Sequence, residues 1–324
     1  MKKIFALFLS LTILLAGCSN GTKSSEKKGD SNHDKLTIYT TVYPLQYFAE
    51  RIGGDFVEVN TIYPPGADEH SYEPTQKDMM NLADADMFVY IGLGLEGFVE
   101  KAKNTLKNEN VTMVGAAEQL HIKESEHNEH GVDEHDEHGE DQDDDHHHHG
   151  DVDPHVWIDP VYAKDLALSV KNALIEKMPE QKEAFENNYS LLAKELEQLN
   201  NDFVKVISES KHKEIIVSHA AFGYWEKRYG IKQISVAGLS STNEPSQKQL
   251  QKIIEVAKEH NLKNVFFEQN VNSKLTEIIQ KEIGAEPLVL HNLSVLTDDD
   301  LKKNPSYFSL MEGNLKALEK GLNE

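Results

Sequence analysis

Two runs of short apolar segments, each alternating with helical patterns, constrain this chain more than anything else in it. In the first run, residues 36–39, 57–63, 87–91 and 111–114 read as strands. Helical patterns separate them at 44–52, which Gly53-Gly54 ends, at 76–83 and at 96–106. Such alternation is the signature of a parallel sheet covered by helices on both faces. The pattern returns with strands at 215–217, 233–236, 265–267 and 288–290 and helices at 220–229, 246–259, 273–283 and 305–322. Between the runs, Phe185, Tyr189, Leu192, Leu196, Leu199, Phe203 and Val206 are spaced 4, 3, 4, 3, 4, 3, one stripe down a single helix. At 1.5 Å per residue this helix is about 40 Å long, enough to run from one lobe into another. An ordinary surface helix or half a coiled coil carries the same stripe, but the alternation resumes directly after it, which favours a rod joining two lobes.

The expected organisation follows. Residues 1–18 read as a lipoprotein signal: Lys2 and Lys3, an apolar run at 4–15 too short to span a bilayer, then Leu15-Ala16-Gly17-Cys18. An ordinary secretory signal is the plainer alternative. Lipidation at Cys18 is favoured because Cys18 is the only cysteine, which also excludes an internal disulfide or a thiolate metal site. Residues 19–35 form a polar tether, and His33 within it is read as solvated. The first lobe takes 36–178, the rod 179–208 and the second lobe 209–324.

A net charge of -22 argues against a nucleic-acid partner. Half of it sits in residues 121–150, which hold twelve Asp or Glu and one Lys. The same run carries His121, His127, His130, His135, His138 and His146, His147, His148 and His149, within an irregular stretch spanning 115–154. A merely solvating spacer explains the acids but not nine histidines in 29 positions. Imidazoles interleaved with carboxylates suit weak, interchangeable metal capture.

Other histidines sit where parallel sheets bind ligands, beyond the carboxyl ends of strands. His70 lies in the Pro- and Gly-rich loop after the second strand. His155 closes the long loop after the fourth, just before a helix that Asp159 caps and Pro160 opens, and His219 follows the strand ending at Val217. A lone His in a turn is more often a cap or a surface residue. Three at equivalent topological places make the stronger case, and three nitrogens suit zinc better than manganese, magnesium or calcium. His291 is a reserve candidate on the same rule, whereas solvated or dipole-satisfying roles suffice for His212 and His260.

The motifs Pro65-Gly66-Ala67-Asp68-Glu69-His70 with Tyr72-Glu73-Pro74, Asp153-Pro154-His155-Val156-Trp157-Ile158-Asp159-Pro160, Ser218-His219-Ala220-Ala221-Phe222-Gly223-Tyr224, Glu244-Pro245-Ser246 and Phe266-Phe267-Glu268 together resemble one family. It is the cluster A-I metal-binding lipoproteins of bacterial ABC importers, zinc type, of the ZnuA and AdcA kind. The resemblance implies two (β/α)4 lobes with parallel sheets joined by a long rigid α-helix, with the metal in the cleft. It implies a zinc receptor, not an enzyme. His70, His155 and His219 would hold Zn2+ as the transported ligand. Its partners would be an ABC permease and its ATPase, with a monomer lipid-anchored outside the bacterial cell membrane. Manganese-type relatives place a carboxylate where this chain has His219. At the fourth position many zinc-type members place an acid where this chain reads Ser294, a poor zinc ligand. That leaves water, Glu69, His291 or an acid from Asp298 to Asp300 for the corner. The rival readings are a manganese receptor of the same fold and a zinc hydrolase, against which no His-Glu-x-x-His spacing is found. A surface adhesin with structural metal is a third.

Overall fold

The computed structural model describes residues 35–120, 122, 152–271 and 273–324. Cys18, His33 and His121, His127, His130, His135, His138 and His146 to His149 lie outside the described residues.

Among the described residues, eight strands make two four-stranded sheets in which every neighbouring pair is parallel. β1 (Leu36–Thr40), β2 (Val57–Thr61), β3 (Met87–Tyr90) and β4 (Thr112–Gly115) lie in the order β2-β1-β3-β4. β5 (Glu214–Val217), β6 (Lys232–Ser235), β7 (Asn264–Phe267) and β8 (Glu286–Val289) repeat it as β6-β5-β7-β8. All four residues of β3 are buried, as a central strand covered on both faces requires. In this order the chain leaves the first strand toward one edge and the third toward the other. The connections therefore part between β1 and β3 and between β5 and β7, and each sheet has a crevice there at its carboxyl ends.

The helices are α1 (Tyr43–Gly53), α2 (Gln76–Ala83), α3 (Val99–Leu106), α4 (Pro160–Lys177), α5 (Lys182–Glu209), α6 (Gly223–Tyr229), α7 (Gln247–Glu259), α8 (Lys274–Ile283), α9 (Asp298–Lys303) and α10 (Tyr307–Gly321). α4 starts where its sequence says it should: Pro160 takes the first position and Asp159 accepts from the Val161 and Tyr162 amides. α5 is the expected rod. It packs on α1 and α4 of the first lobe and on α6 and α10 of the second. Its buried face runs through Phe185, Leu192, Leu196, Leu199 and Phe203, then ends on Ile207 rather than Val206. A straight helix drifts about 20° per heptad from a strict 3-4 pattern, so the last turn buries the next residue along.

Among the other differences from the sequence reading, three have a clear local cause. α3 begins at Val99, not Glu96, because the Glu96 side chain folds back to accept from the Ile91 and Gly92 amides. α6 begins at Gly223, since residues 220–222 form an irregular turn beside the loop after β6, where the Ala220 amide donates to Gly238 O. α9 was not expected; Thr297 and Asp300 close a reciprocal cap around its start.

The larger hydrophobic core runs through both lobes, joining Ile38, Phe48, Phe88 and Trp157 to Phe203, Trp225, Tyr307 and Leu318. A smaller one, with Ile216, Val265 and Ile279, belongs to the second lobe alone. Trp157 donates to Asn292 O and Trp225 to Ile158 O, each across the lobe boundary. Exposing one such indole would cost about 4–6 kcal/mol at roughly 25 cal/mol per Å² over 150–250 Å². The lobes are therefore packed as one body along this seam.

Candidate metal centre

The segment 153–160 enters the seam as the main chain of a short 3-10 turn, Val156–Ile158, followed by α4. Side chains of the second lobe hold it from several sides. The Tyr224 hydroxyl donates to Asp153 O at 2.5 Å, the Tyr307 hydroxyl to Trp157 O at 2.9 Å, and the Arg228 guanidinium to Asp159 Oδ2 at 2.5 Å. A side chain at Gly223 would put a Cβ 2.7 Å from Asp153 Oδ2, so any larger residue at the start of α6 would push the Asp153 carboxylate aside. His155 is fully buried as a result.

Three imidazoles meet at this point. His155 Nε2 lies 3.2 Å from His70 Nε2 and 3.3 Å from His219 Nε2. On the far side of the rings, His155 Nδ1 sits 2.8 Å from Asp153 Oδ1 and His219 Nδ1 sits 2.6 Å from Glu268 Oε1. An ionised carboxylate only accepts, so each of these Nδ1 atoms carries a proton and donates it, and in the neutral ring each Nε2 presents a lone pair. Lone pairs this close repel one another unless a cation or a shared proton lies among them. The distances suit a metal: nitrogens about 2.0–2.1 Å from a tetrahedral zinc stand roughly 3.3–3.4 Å apart. Glu69 adds a carboxylate, and one donor atom from each of Glu69, His70, His155 and His219 falls within 4.8 Å of all the others.

The electrostatics differ from ring to ring. Burial, then the neighbouring His155 and His219, push His70 down to about 3, so it is neutral at ordinary pH. Burial alone would lower His219 too, but Glu268, Glu69 and Asp153 outweigh it and raise its pKa. Burial pushes the Glu69 carboxyl up, against the pull of His219 and His155. A cation among these donors would favour the neutral imidazoles and the ionised carboxylate together.

His291 and Ser294 are not brought into the cluster. The His291 Nδ1 accepts from the Leu293 amide, and its Nε2 faces Asp300 at 3.3 Å. Ser294 instead orients Asn292, whose Oδ1 accepts from the Ser294 hydroxyl at 2.9 Å. The Asn292 amide group then donates to Glu268 Oε2 and Asn270 Oδ1, at 2.9 and 3.1 Å. Ser294 thus supports the carboxylate behind His219 at two removes. Asp300 is committed to its helix cap, accepting from the Thr297 amide and hydroxyl.

Asp153, Glu268 and Asn292 escaped the sequence reading as supports of the site. Asp153 precedes His155 by two residues, and Glu268 follows β7 across the crevice from His219, so position at the strand ends was the available signal. Nothing in the sequence around Asn292 marks it as a hub.

A model of the family described as zinc-uptake complex component A, periplasmic, ZnuA, matches residues 38–321. The high-affinity zinc uptake system protein ZnuA of Bacillus subtilis (strain 168) is 36% identical over 321 residues, covering 99% of this chain and 98% of its own length. The zinc-binding lipoprotein AdcA of Streptococcus pneumoniae (strain ATCC BAA-255 / R6) is 35% identical over 320 residues, and this chain spans 61% of its length. Among solved structures, the Zn(II)-bound ZnuA-like domain of Streptococcus pneumoniae AdcA superposes with a TM-score of 0.72 at 32% identity, over 90% of this chain and 100% of that one.

Proposed function

Since the chain belongs to the zinc-uptake complex component A family, we propose that it is an extracytoplasmic receptor that captures Zn2+ and delivers it to an ABC permease and its ATPase. The observation that carries this reading is the convergence of three Nε2 atoms, two of them 3.2 and 3.3 Å from the third, with carboxylates behind His155 and His219. His70, His155 and His219 are the protein ligands and Glu69 takes the fourth corner. A carboxylate there closes the coordination sphere that a hydrolase leaves open to water. Three imidazoles also favour zinc over manganese, which prefers oxygen donors.

Lipid on Cys18 holds a monomeric receptor to the outer face of the cell membrane, and residues 19–35 tether it. The histidines between His121 and His149 gather zinc weakly and raise its concentration near the tight site.

Competition titration of metal-free protein, with and without residues 121–150, tests both parts. Zinc should outcompete manganese at one tight site in both forms, with weaker sites only in the full chain. A preference for manganese would overturn the receptor's assignment, and loss of the tight site with the loop would overturn the site's.

A further inference from the structure

His155 and His219 are each pinned twice, through the backbone and through a carboxylate on Nδ1. His70 is held differently. Among the described residues no hydrogen bond forms to its Nδ1, and its position comes from Asp68, whose Oδ1 accepts from the His70 amide at 3.1 Å and from the Ser71 amide and hydroxyl at 3.0 Å each. The other oxygen of the same carboxylate accepts from the Ser241 hydroxyl, in the second lobe. Ser241 lies in the loop after β6. In that loop the Gly238 carbonyl accepts from the Ala220 amide next to His219. The loop is closed on itself by the Gly238 amide on Asn243 O and the Asn243 amide on Ser240 O. One carboxylate therefore joins the main chain of His70 to a compact turn built beside His219.

Two other bonds cross the lobes in this region, from the Gly66 amide to Leu296 O at 3.0 Å and from Asn270 Nδ2 to Ala67 O at 3.3 Å. Both are neutral. The Asp68 to Ser241 bond is charge-assisted, and so the strongest of the three. The seam carrying His155, by contrast, is locked by buried Trp157, Trp225 and Tyr307.

We infer that Asp68 is a positioning residue for the ligand His70, that Ser241 is its catch in the second lobe, and that breaking the bond between them is the step that frees His70 and opens the site. This rests on the zinc-receptor reading. His155 and His219 stay together in the packed body, and release proceeds by withdrawal of the 64–72 loop rather than by separation of the lobes. The catch is half-buried, so a partner docked over the cleft can reach it.

Stopped-flow release of Zn2+ into excess chelator, from the full chain and from Ser241→Ala and Ser241→Thr, tests the inference. Ser241→Ala should release zinc about tenfold faster, as loss of a hydrogen bond to a charged group implies. Ser241→Thr, which keeps the hydroxyl, should restore the slow rate. The melting temperature of the metal-free protein should fall by only a few degrees in Ser241→Ala, as loss of one hydrogen bond implies, and recover in Ser241→Thr. Release from Ser241→Ala at the parent rate, or failure of threonine to restore it, overturns the catch while leaving the receptor reading intact. A parent chain that binds no zinc tightly overturns both.

Discussion

The two sheets have the same strand order, yet their crevices are filled in opposite ways. Between β1 and β3 the buried Glu96 carboxylate accepts from the Thr41 hydroxyl and from the Ile91 and Gly92 amides, at 2.8 to 2.9 Å. Every donor comes from its own lobe, so the carboxylate seals that crevice. Between β5 and β7 the buried Glu268 faces His219, and the imidazole passes the interaction on through an Nε2 that points away toward His155. The same topology thus yields a plug in one lobe and a projecting ligand in the other. What separates them is that Glu96 meets only amides and a hydroxyl, which end the chain of contacts, whereas Glu268 holds, beside the Asn292 amide, an imidazole that continues it.

The largest effects are expected at the imidazole cluster itself. If roughly 10–16 kcal/mol of zinc binding is shared among four ligands, each supplies about 2.5–4 kcal/mol, so His155→Ala should weaken zinc by roughly 60-fold to 900-fold. Competition against a chromophoric chelator measures this; a tenfold effect or less would remove His155 from the site. Glu268→Gln should cost about 10–100-fold in the same assay, as loss of a carboxylate behind a ligating imidazole does. An unchanged affinity would make Glu268 a second plug like Glu96.

Acidity separates the rings. His70 is already neutral, whereas His219, its pKa raised against burial by Glu268, must lose its proton to bind metal. Affinity should fall about tenfold per pH unit once pH drops below the His219 pKa. A flat profile through the imidazole range would contradict this. For the metal-free fold the signs oppose each other. The raised His219 adds stability that is complete below its unfolded pKa of 6.5 and is lost as pH rises through its folded value. The lowered His70 adds stability above 6.5 that is lost as pH falls toward about 3. Glu96→Gln should have the smallest effect on zinc, within about threefold, while urea unfolding shows a loss of about 1–3 kcal/mol from its broken amide contacts. A large loss of zinc affinity would show that the first crevice also serves the site.

Much of this was legible in the sequence because it is written locally. The alternation of apolar runs and helical patterns gives both sheets, and the spacing from Phe185 to Phe203 gives the rod. His70, His155 and His219 stand out because strand ends are where parallel sheets bind ligands. The fourth corner was only partly legible: the motifs left water, Glu69, His291 or an acid from Asp298 to Asp300 open, and the fold brings a Glu69 oxygen within 4.8 Å of the imidazole donors while turning Ser294 toward Asn292. The supports of the rings were hidden for the same reason. His219 and Glu268 are 49 residues apart, and Asp68 and Ser241 are 173 apart. Pairings at such separations follow from sheet order and lobe packing, which no local pattern encodes.

If zinc sits where the second sheet's projecting imidazole meets His70 and His155, its own coordination shell records it. A zinc-edge X-ray absorption spectrum of the loaded protein, with residues 121–150 removed, tests it most directly. About three imidazole nitrogens and one carboxylate oxygen at roughly 2.0–2.2 Å are expected. A six-coordinate oxygen-rich shell, or fewer than three imidazoles, would contradict it.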